Sequence, residues 1–210
     1  MKTLFVTATN TNVGKTYTTI KLIESFAKQG ILVGVSKPIE TGVETEAPDA
    51  TLLLKTVQKY NANFKDLNPL DITAYTFPLP AAPFCADIEQ SIKIEHIKNK
   101  IDELKKLCDL LIVEGAGGLM VPITKTYNMI DLAQELNGMT LLVTPSRLGC
   151  INDTQLSMEA LKNRNIPFDW CVNIFEDKEE FEKVTQPFYD AVFDGWWSLD
   201  EGLEGFCKAY

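Results

Sequence analysis

Two short stretches carry residue types and spacings suited to phosphate chemistry. The first is residues 8–16, Ala-Thr-Asn-Thr-Asn-Val-Gly-Lys-Thr. The apolar run Leu4 to Val6 precedes it, and Tyr17 to Ile23 can continue as a helix. A strand, a loop closing on Gly-Lys-Thr and a helix form the setting a P-loop requires. Backbone N–H groups then curl round phosphate oxygens, and the helix N-terminus adds partial positive charge. In that arrangement Lys15 reaches the outer phosphates and the Thr16 hydroxyl sits on Mg²⁺. One position departs from the pattern: Thr9 stands where a glycine is usual. The second stretch is Glu114, which closes the apolar run Leu110 to Val113 and enters Gly115-Ala116-Gly117-Gly118. A carboxylate there can hold Mg²⁺ directly or through water, or it is a solvated strand end. Gly117 and Gly118 let a substrate or phosphate approach the backbone closely.

These residues need a scaffold, and the chain alternates strand and helix patterns. Ile31 to Lys37 reads as a second strand, largely apolar as a buried parallel strand should be, stopped by Pro38. Residues 38–48 read as a loop, and Ile72 to Phe77 as a short weak strand. Pro78, Pro80 and Pro83 impose an extended connection. Ile94, Ile97, Ile101 and Leu104 recur at helical spacing. Strands follow at 110–114, 140–144 and 170–174, with helices at 129–136 and 151–163. Beyond Tyr189 the tail is poorly patterned, and Trp196 and Trp197 read as packing residues. The alternation predicts an α/β, three-layer P-loop fold: a mostly parallel central sheet with helices on both faces, as one domain over 1–210.

In such a sheet, ligands gather beyond the C-terminal strand ends. Lys37 ends the second strand. It is either a surface lysine or a second cation stabilising negative charge on a transferred phosphoryl group or an anionic acceptor. Thr41 follows closely enough to meet the same ligand. Asp49 either caps a helix or supplies a second carboxylate on the Mg²⁺ side. Asn173 falls in the last clear strand. Asn99-Lys100-Ile101-Asp102 matches a guanine-reading pattern, but it lies within an amphipathic helix and is treated as chance.

Composition narrows the partners. The net charge of −9 over 210 residues disfavours nucleic acid and anionic membranes. Five scattered cysteines, none in C-x-x-C, and the single histidine His96 argue against a zinc site or disulfide framework. Free thiols and the absence of a signal pattern or long apolar run suggest a cytoplasmic protein.

The set 9–16, Lys-Pro-Ile-Glu-Thr-Gly at 37–42, Val-Glu-Gly-Ala-Gly-Gly at 113–118 and Leu-Gly-Cys-Ile-Asn at 148–152 resembles the dethiobiotin synthetase family. The likeness runs from Met1 to about Phe175, and the tail at 176–210 diverges. The resemblance implies a homodimeric ATP-dependent carbon–nitrogen cyclo-ligase of biotin synthesis. It implies 7,8-diaminopelargonic acid, CO₂ and MgATP as reactants, joined through a carbamate and a carbamic-phosphoric anhydride. It assigns catalysis to Lys37 and Lys15. It assigns the nucleotide to Asn12, Val13, Gly14, Lys15, Thr16, Tyr17, Glu114, Gly115, Ala116 and Gly117, with Asn173 reading adenine. The diamine falls to Thr11, Lys37 and Thr41, and its carboxylate to Gly149, Cys150, Ile151 and Asn152 across the dimer interface. Mg²⁺ falls to Thr16, Asp49 and Glu114. The chain departs from the family at Ala8, usually glycine, and at Asn10 and Asn12, often acidic. Asp49 follows Pro48 instead of the usual serine. The tail lacks a short proline-containing segment that helps enclose the base, which suggests relaxed base selectivity. Two other functions fit a P-loop in this sheet: a nucleotide-switch ATPase of the partitioning type, and another small-molecule ligase or kinase.

Overall fold

A computed structural model describes residues 2–175 and 177–210. In chain order the elements are β1 (Lys2–Ala8), α1 (Lys15–Lys28), β2 (Val33–Ser36), β3 (Ile39–Thr41), α2 (Pro48–Val57), β4 (Tyr75–Phe77), α3 (Pro83–Ala86) and α4 (Ile94–Lys105). Then follow β5 (Leu110–Gly118), β6 (Pro122–Thr124), β7 (Tyr127–Asn128), α5 (Met129–Glu135), β8 (Met139–Pro145), α6 (Cys150–Asn163) and β9 (Phe168–Asn173). The tail holds α7 (Lys178–Glu180), α8 (Gln186–Val192), β10 (Trp197–Ser198) and α9 (Leu199–Ala209).

Six strands form the central sheet in the order β10-β9-β8-β1-β5-β2, and every neighbouring pair is parallel. Leu4, Phe5 and Val6 are all buried although successive side chains point to opposite faces, so both faces are covered. That is why the strands read as continuous apolar runs. Helix α1, flanked by α2 and α9, packs on β1, β2 and β5, while α6 packs on β8. The topology puts β1 centrally, between β5 and β8, so the turns after β1, β2, β5, β8 and β9 share one edge.

Several expectations change. Residues 38–48 are not all loop: β3 pairs in parallel with β4, over three residues too short to show a period in sequence. Pro83 starts a short helix where an extended connection was expected. Asp49 is not the N-cap of α2; Ala47 holds that position, Pro48 is the first helical residue and Asp49 lies in the first turn. The tail is not structureless. β10 adds a parallel strand beside β9, and Phe181, Tyr189 and Trp196 pack edge to face. Trp196 and Trp197 are packing residues, Trp197 stacking on Phe206. The Asn99–Asp102 stretch lies inside α4 with Ile101 buried, which removes it from guanine recognition.

Ala8 also finds its explanation. It remains within β1, buried and opposite Gly118. The space comes from Gly118, where a Cβ would lie 2.9 Å from the Thr9 carbonyl oxygen. Within the loop the left-handed conformation falls instead to Gly14 and to Asn12, the latter at φ 56°, which asparagine tolerates better than most.

Candidate active site

The turn after β1 ends at Gly14, whose φ of +100° starts α1 at Lys15. A side chain at Gly14 would be strained by that φ, and Asn173, whose Nδ2 would lie 2.2 Å from a Cβ there, would have to move aside. Asn173, at the end of β9, donates through Nδ2 to the Val13 carbonyl at 2.9 Å and so braces the loop. Lys15 is buried, and its ammonium donates to the Asn10 carbonyl at 2.9 Å. Burial, then the nearby Lys37 charge, pull its pKa down to about 8, against the opposing pull of Glu114 and Asp49.

Beneath the loop lies a charge cluster centred on two buried groups, Lys37 and Glu114. Lys37 Nζ is 2.6 Å from Glu114 Oε1 and 3.0 Å from Asp49 Oδ2, and it also donates to the Gly115 carbonyl at 3.4 Å. Lys37 is 3% exposed and Glu114 0%. Burial disfavours the Lys37 charge, but the Glu114 and Asp49 carboxylates outweigh it and hold the ammonium protonated well above its ordinary range. Lys37 is therefore a fixed cation and not a surface lysine. The Thr16 hydroxyl donates to Glu114 Oε1 at 2.9 Å, which ties α1 to β5. Glu114 Oε2 is buried without a hydrogen-bond partner. A buried acceptor left open beside a hydroxyl and a second carboxylate suits a hard divalent cation with oxygen ligands.

A cleft of ≈1380 Å³ opens above this cluster. Pockets for single small ligands usually run about 300–1,000 Å³, so this one has room for a nucleotide and a second substrate. Thr11 to Tyr17, Lys37, Thr41, Asp49, Ala116, Gly117 and Asn173 line it, as their strand-end positions imply. Glu114 and Gly115 do not line it, but both accept from Lys37, which does. Gly149 to Asn152 do not line it: they form the start of α6, where Cys150 is buried. Pro145, Ser146 and Arg147, just before that stretch, do reach the cleft.

The cleft also recruits residues to which sequence patterns assigned no site role: Glu40, Pro80 to Pro83, Asp177 and Asp200. Glu40 stood within the 37–42 motif and carried a visible signal. Asp177 and Asp200 come from the tail, whose place at the end of β9 no local pattern discloses. Among the described residues, no group of three or more His, Cys, Asp or Glu side chains could hold a metal by itself. No helix among them is long and apolar enough to cross a membrane.

Residues 2–180 match an AAA domain family. The ATP-dependent dethiobiotin synthetase of Sulfurovum sp. (strain NBC37-1) is 63% identical over 209 residues, covering 100% of both chains. The chain belongs to the dethiobiotin synthetase family. The enzyme of that name from Wolinella succinogenes is 38% identical over 207 residues, 97% of this chain and 95% of the other. That from Methanocaldococcus jannaschii is 40% identical over 170 residues, 78% and 75% of the two chains. The Sulfurovum match runs through the tail. Among solved structures, a Borrelia burgdorferi plasmid partition protein superposes with a TM-score of 0.60 at 12% identity, over 100% of this chain and 99% of that one. The Aquifex aeolicus MinD cell division protein gives 0.53 at 16% identity, over 99% and 86%. Those two share the P-loop NTPase fold, and at such identity the likeness reaches no further. The partitioning-switch alternative thus rests on a common sheet, whereas whole-chain sequence identity lies with the synthetases.

Proposed function

We propose that the chain, acting as one domain over 1–210, closes a cyclic urea on 7,8-diaminopelargonic acid. CO₂ supplies the carbon and ATP the driving force, and dethiobiotin, ADP and phosphate leave. The observation that carries this is the buried Lys37 ammonium at the edge of the P-loop cleft, held between Glu114 and Asp49 and followed by Thr41. A second buried cation at the cleft, beyond the P-loop lysine, suits an anionic acceptor.

One substrate amine adds to CO₂ and loses a proton, giving a carbamate. A carbamate oxygen then attacks the γ-phosphorus, and the bond to the β–γ bridging oxygen breaks to release ADP. The second amine attacks the carbamoyl carbon, and phosphate departs as the ring closes. Carbamate and triphosphate are both anions, so their approach needs fixed positive charge. Lys15 meets the outer phosphates from α1. Lys37 holds the carbamate, and because its proton is tightly held it acts as a cation and not as a base. Thr11 and Thr41 position the diamine. The backbone of 12–17 and 115–117 cradles the phosphates, and Asn173 faces the base.

Thr16, Asp49 and Glu114 are the residues that would hold Mg²⁺, and the open Glu114 Oε2 fits that role. When bound, Mg²⁺ neutralises phosphate charge and orients the γ-phosphoryl group. The start of α6 offers N–H groups to the substrate carboxylate from outside the cleft of its own chain. We place the Gly149-to-Asn152 stretch in the active site of a second copy, in a homodimer. Leu148, 89% exposed, adjoins that stretch and would be covered there. Buried free thiols at Cys108, Cys150, Cys171 and Cys207 suit the reducing cytoplasm. The acidic surface suits small-molecule partners, with neither nucleic acid nor membrane. The test is ADP release assayed with the diamine, bicarbonate and MgATP. Release that needs all three supports the reaction; release indifferent to the diamine overturns it.

A further inference from the structure

Glu40 stands on β3, directly before Thr41. It is 4% exposed. Its Oε1 accepts from the Asp49 backbone N–H at 2.8 Å, and its Oε2 accepts from the Ala50 N–H at 2.9 Å. These are two of the unpaired donors that open α2, and Ala47 at the N-cap has no side-chain acceptor to offer them. A carboxylate from a neighbouring strand therefore does the work of the missing cap, with the helix dipole adding to the attraction. Burial pushes the Glu40 pKa up, and the two backbone donors oppose that. The donor Oε1 meets belongs to Asp49, whose own carboxylate is 3.0 Å from Lys37 Nζ. Glu40 thus fixes the backbone from which Asp49 reaches the charge cluster. The adjacent Thr41 lies on the same three-residue strand and lines the cleft.

We propose that Glu40 is a positioning residue that acts through Asp49. It sets where the Asp49 carboxylate stands relative to Lys37 and to a divalent cation bound with ATP. This rests on the assignment of Asp49 to the metal side, but it does not require that the acceptor be a diamine.

The test is a double-mutant cycle with Glu40→Gln and Asp49→Asn, read by ATP affinity with and without Mg²⁺ and by diamine-dependent ADP release. Thermal melting of each variant reports folding separately. In an otherwise native chain, Glu40→Gln is expected to lower the gain in ATP affinity from Mg²⁺ about fivefold, within the usual range of coupled neighbours. In the Asp49→Asn background the same change should cost less than about twofold. Within each background, Glu40→Gln should change ATP affinity without Mg²⁺ by less than about twofold. Equal losses in the two backgrounds, or an equal loss of Mg²⁺-free affinity, would overturn the proposal and leave Glu40 a structural cap. Because ATP binding is read directly, failure of diamine turnover in the native protein would count against the reaction alone.

Discussion

The Lys37 ammonium lies 2.6 Å from the Glu114 carboxylate, and both side chains are buried. Each is the other's main compensation for lost hydration. Removing one partner of such a pair costs about 3–5 kcal/mol, because it leaves a buried charge alone. Lys37→Ala should therefore do two things. Turnover should fall at least ~10²-fold, the scale of losing one preorganised charge-stabilising group. The melting temperature should also fall, by on the order of 10 °C for a chain of this size. The double variant Lys37→Met with Glu114→Gln separates the effects: most of the stability should return and none of the turnover. Near-native ADP release from Lys37→Ala would remove Lys37 from the chemistry.

Lys15 titrates near the working range. Its pKa of about 8 is depressed in the free protein by burial and by Lys37. Bound phosphate favours the ammonium and raises that value. ATP binding should therefore take up a proton above about pH 8, and affinity should fall by up to about tenfold per pH unit through that window. Below it, Lys15 is already protonated and affinity should be flat. Calorimetry in buffers of different ionisation enthalpy measures the uptake. It should be near zero at about pH 6.5, approach one proton at about pH 9, and vanish in Lys15→Met. Equal uptake at both pH values would contradict this assignment.

Gly14 is constrained by conformation and by Asn173 together. Gly14→Ala should weaken ATP binding at least ~10-fold, from left-handed strain of about 1–2 kcal/mol plus the collision with Asn173. Adding Asn173→Ala removes the collision and not the strain, so affinity should recover only in part. Titration calorimetry distinguishes these outcomes, and unchanged affinity in Gly14→Ala would show that the loop relaxes freely.

Asn173, proposed to face the base, has its Nδ2 committed to Val13, which leaves its oxygen, and Asp177 and Asp200 also line the cleft. Carboxylates accept and do not donate. Adenine, cytosine and guanine all carry an exocyclic amino group, and uracil does not. Turnover with ATP, CTP and GTP should agree within about tenfold, with UTP slower by a similar factor for a lost hydrogen bond. Steady-state rates with the four nucleotides decide it; a strong preference for ATP over CTP and GTP would contradict it.

Much of this site was legible in sequence because its residues sit at or just beyond the ends of apolar strands. Lys37 and Glu114 close such runs, Lys15 and Thr16 open α1 after the loop that follows β1, and the parallel sheet brings those ends together. Asp49 was only half legible. Its helical first-turn position resembles a cap, but the backbone donors there are taken by Glu40, from another element. Helix α9 escaped notice although Leu199, Leu203, Phe206 and Tyr210 keep helical spacing, because Gly202 and Gly205 interrupt it. Gly202 is needed for packing: a Cβ there would lie 2.4 Å from the Trp197 Cβ. Asp200 enters the cleft only because α9 docks beside α1, a contact without a local signal.

Phosphoryl transfer to a carbamate held by Lys37 can be followed through its oxygen. The measurement is a single turnover with ¹⁸O-labelled CO₂, the diamine and unlabelled ATP, with mass analysis of phosphate and product before label exchanges with water. A carbamate acceptor places one heavy oxygen in the released phosphate and one in the urea carbonyl, and this is the expected result. Unlabelled phosphate released alongside cyclised product would contradict it.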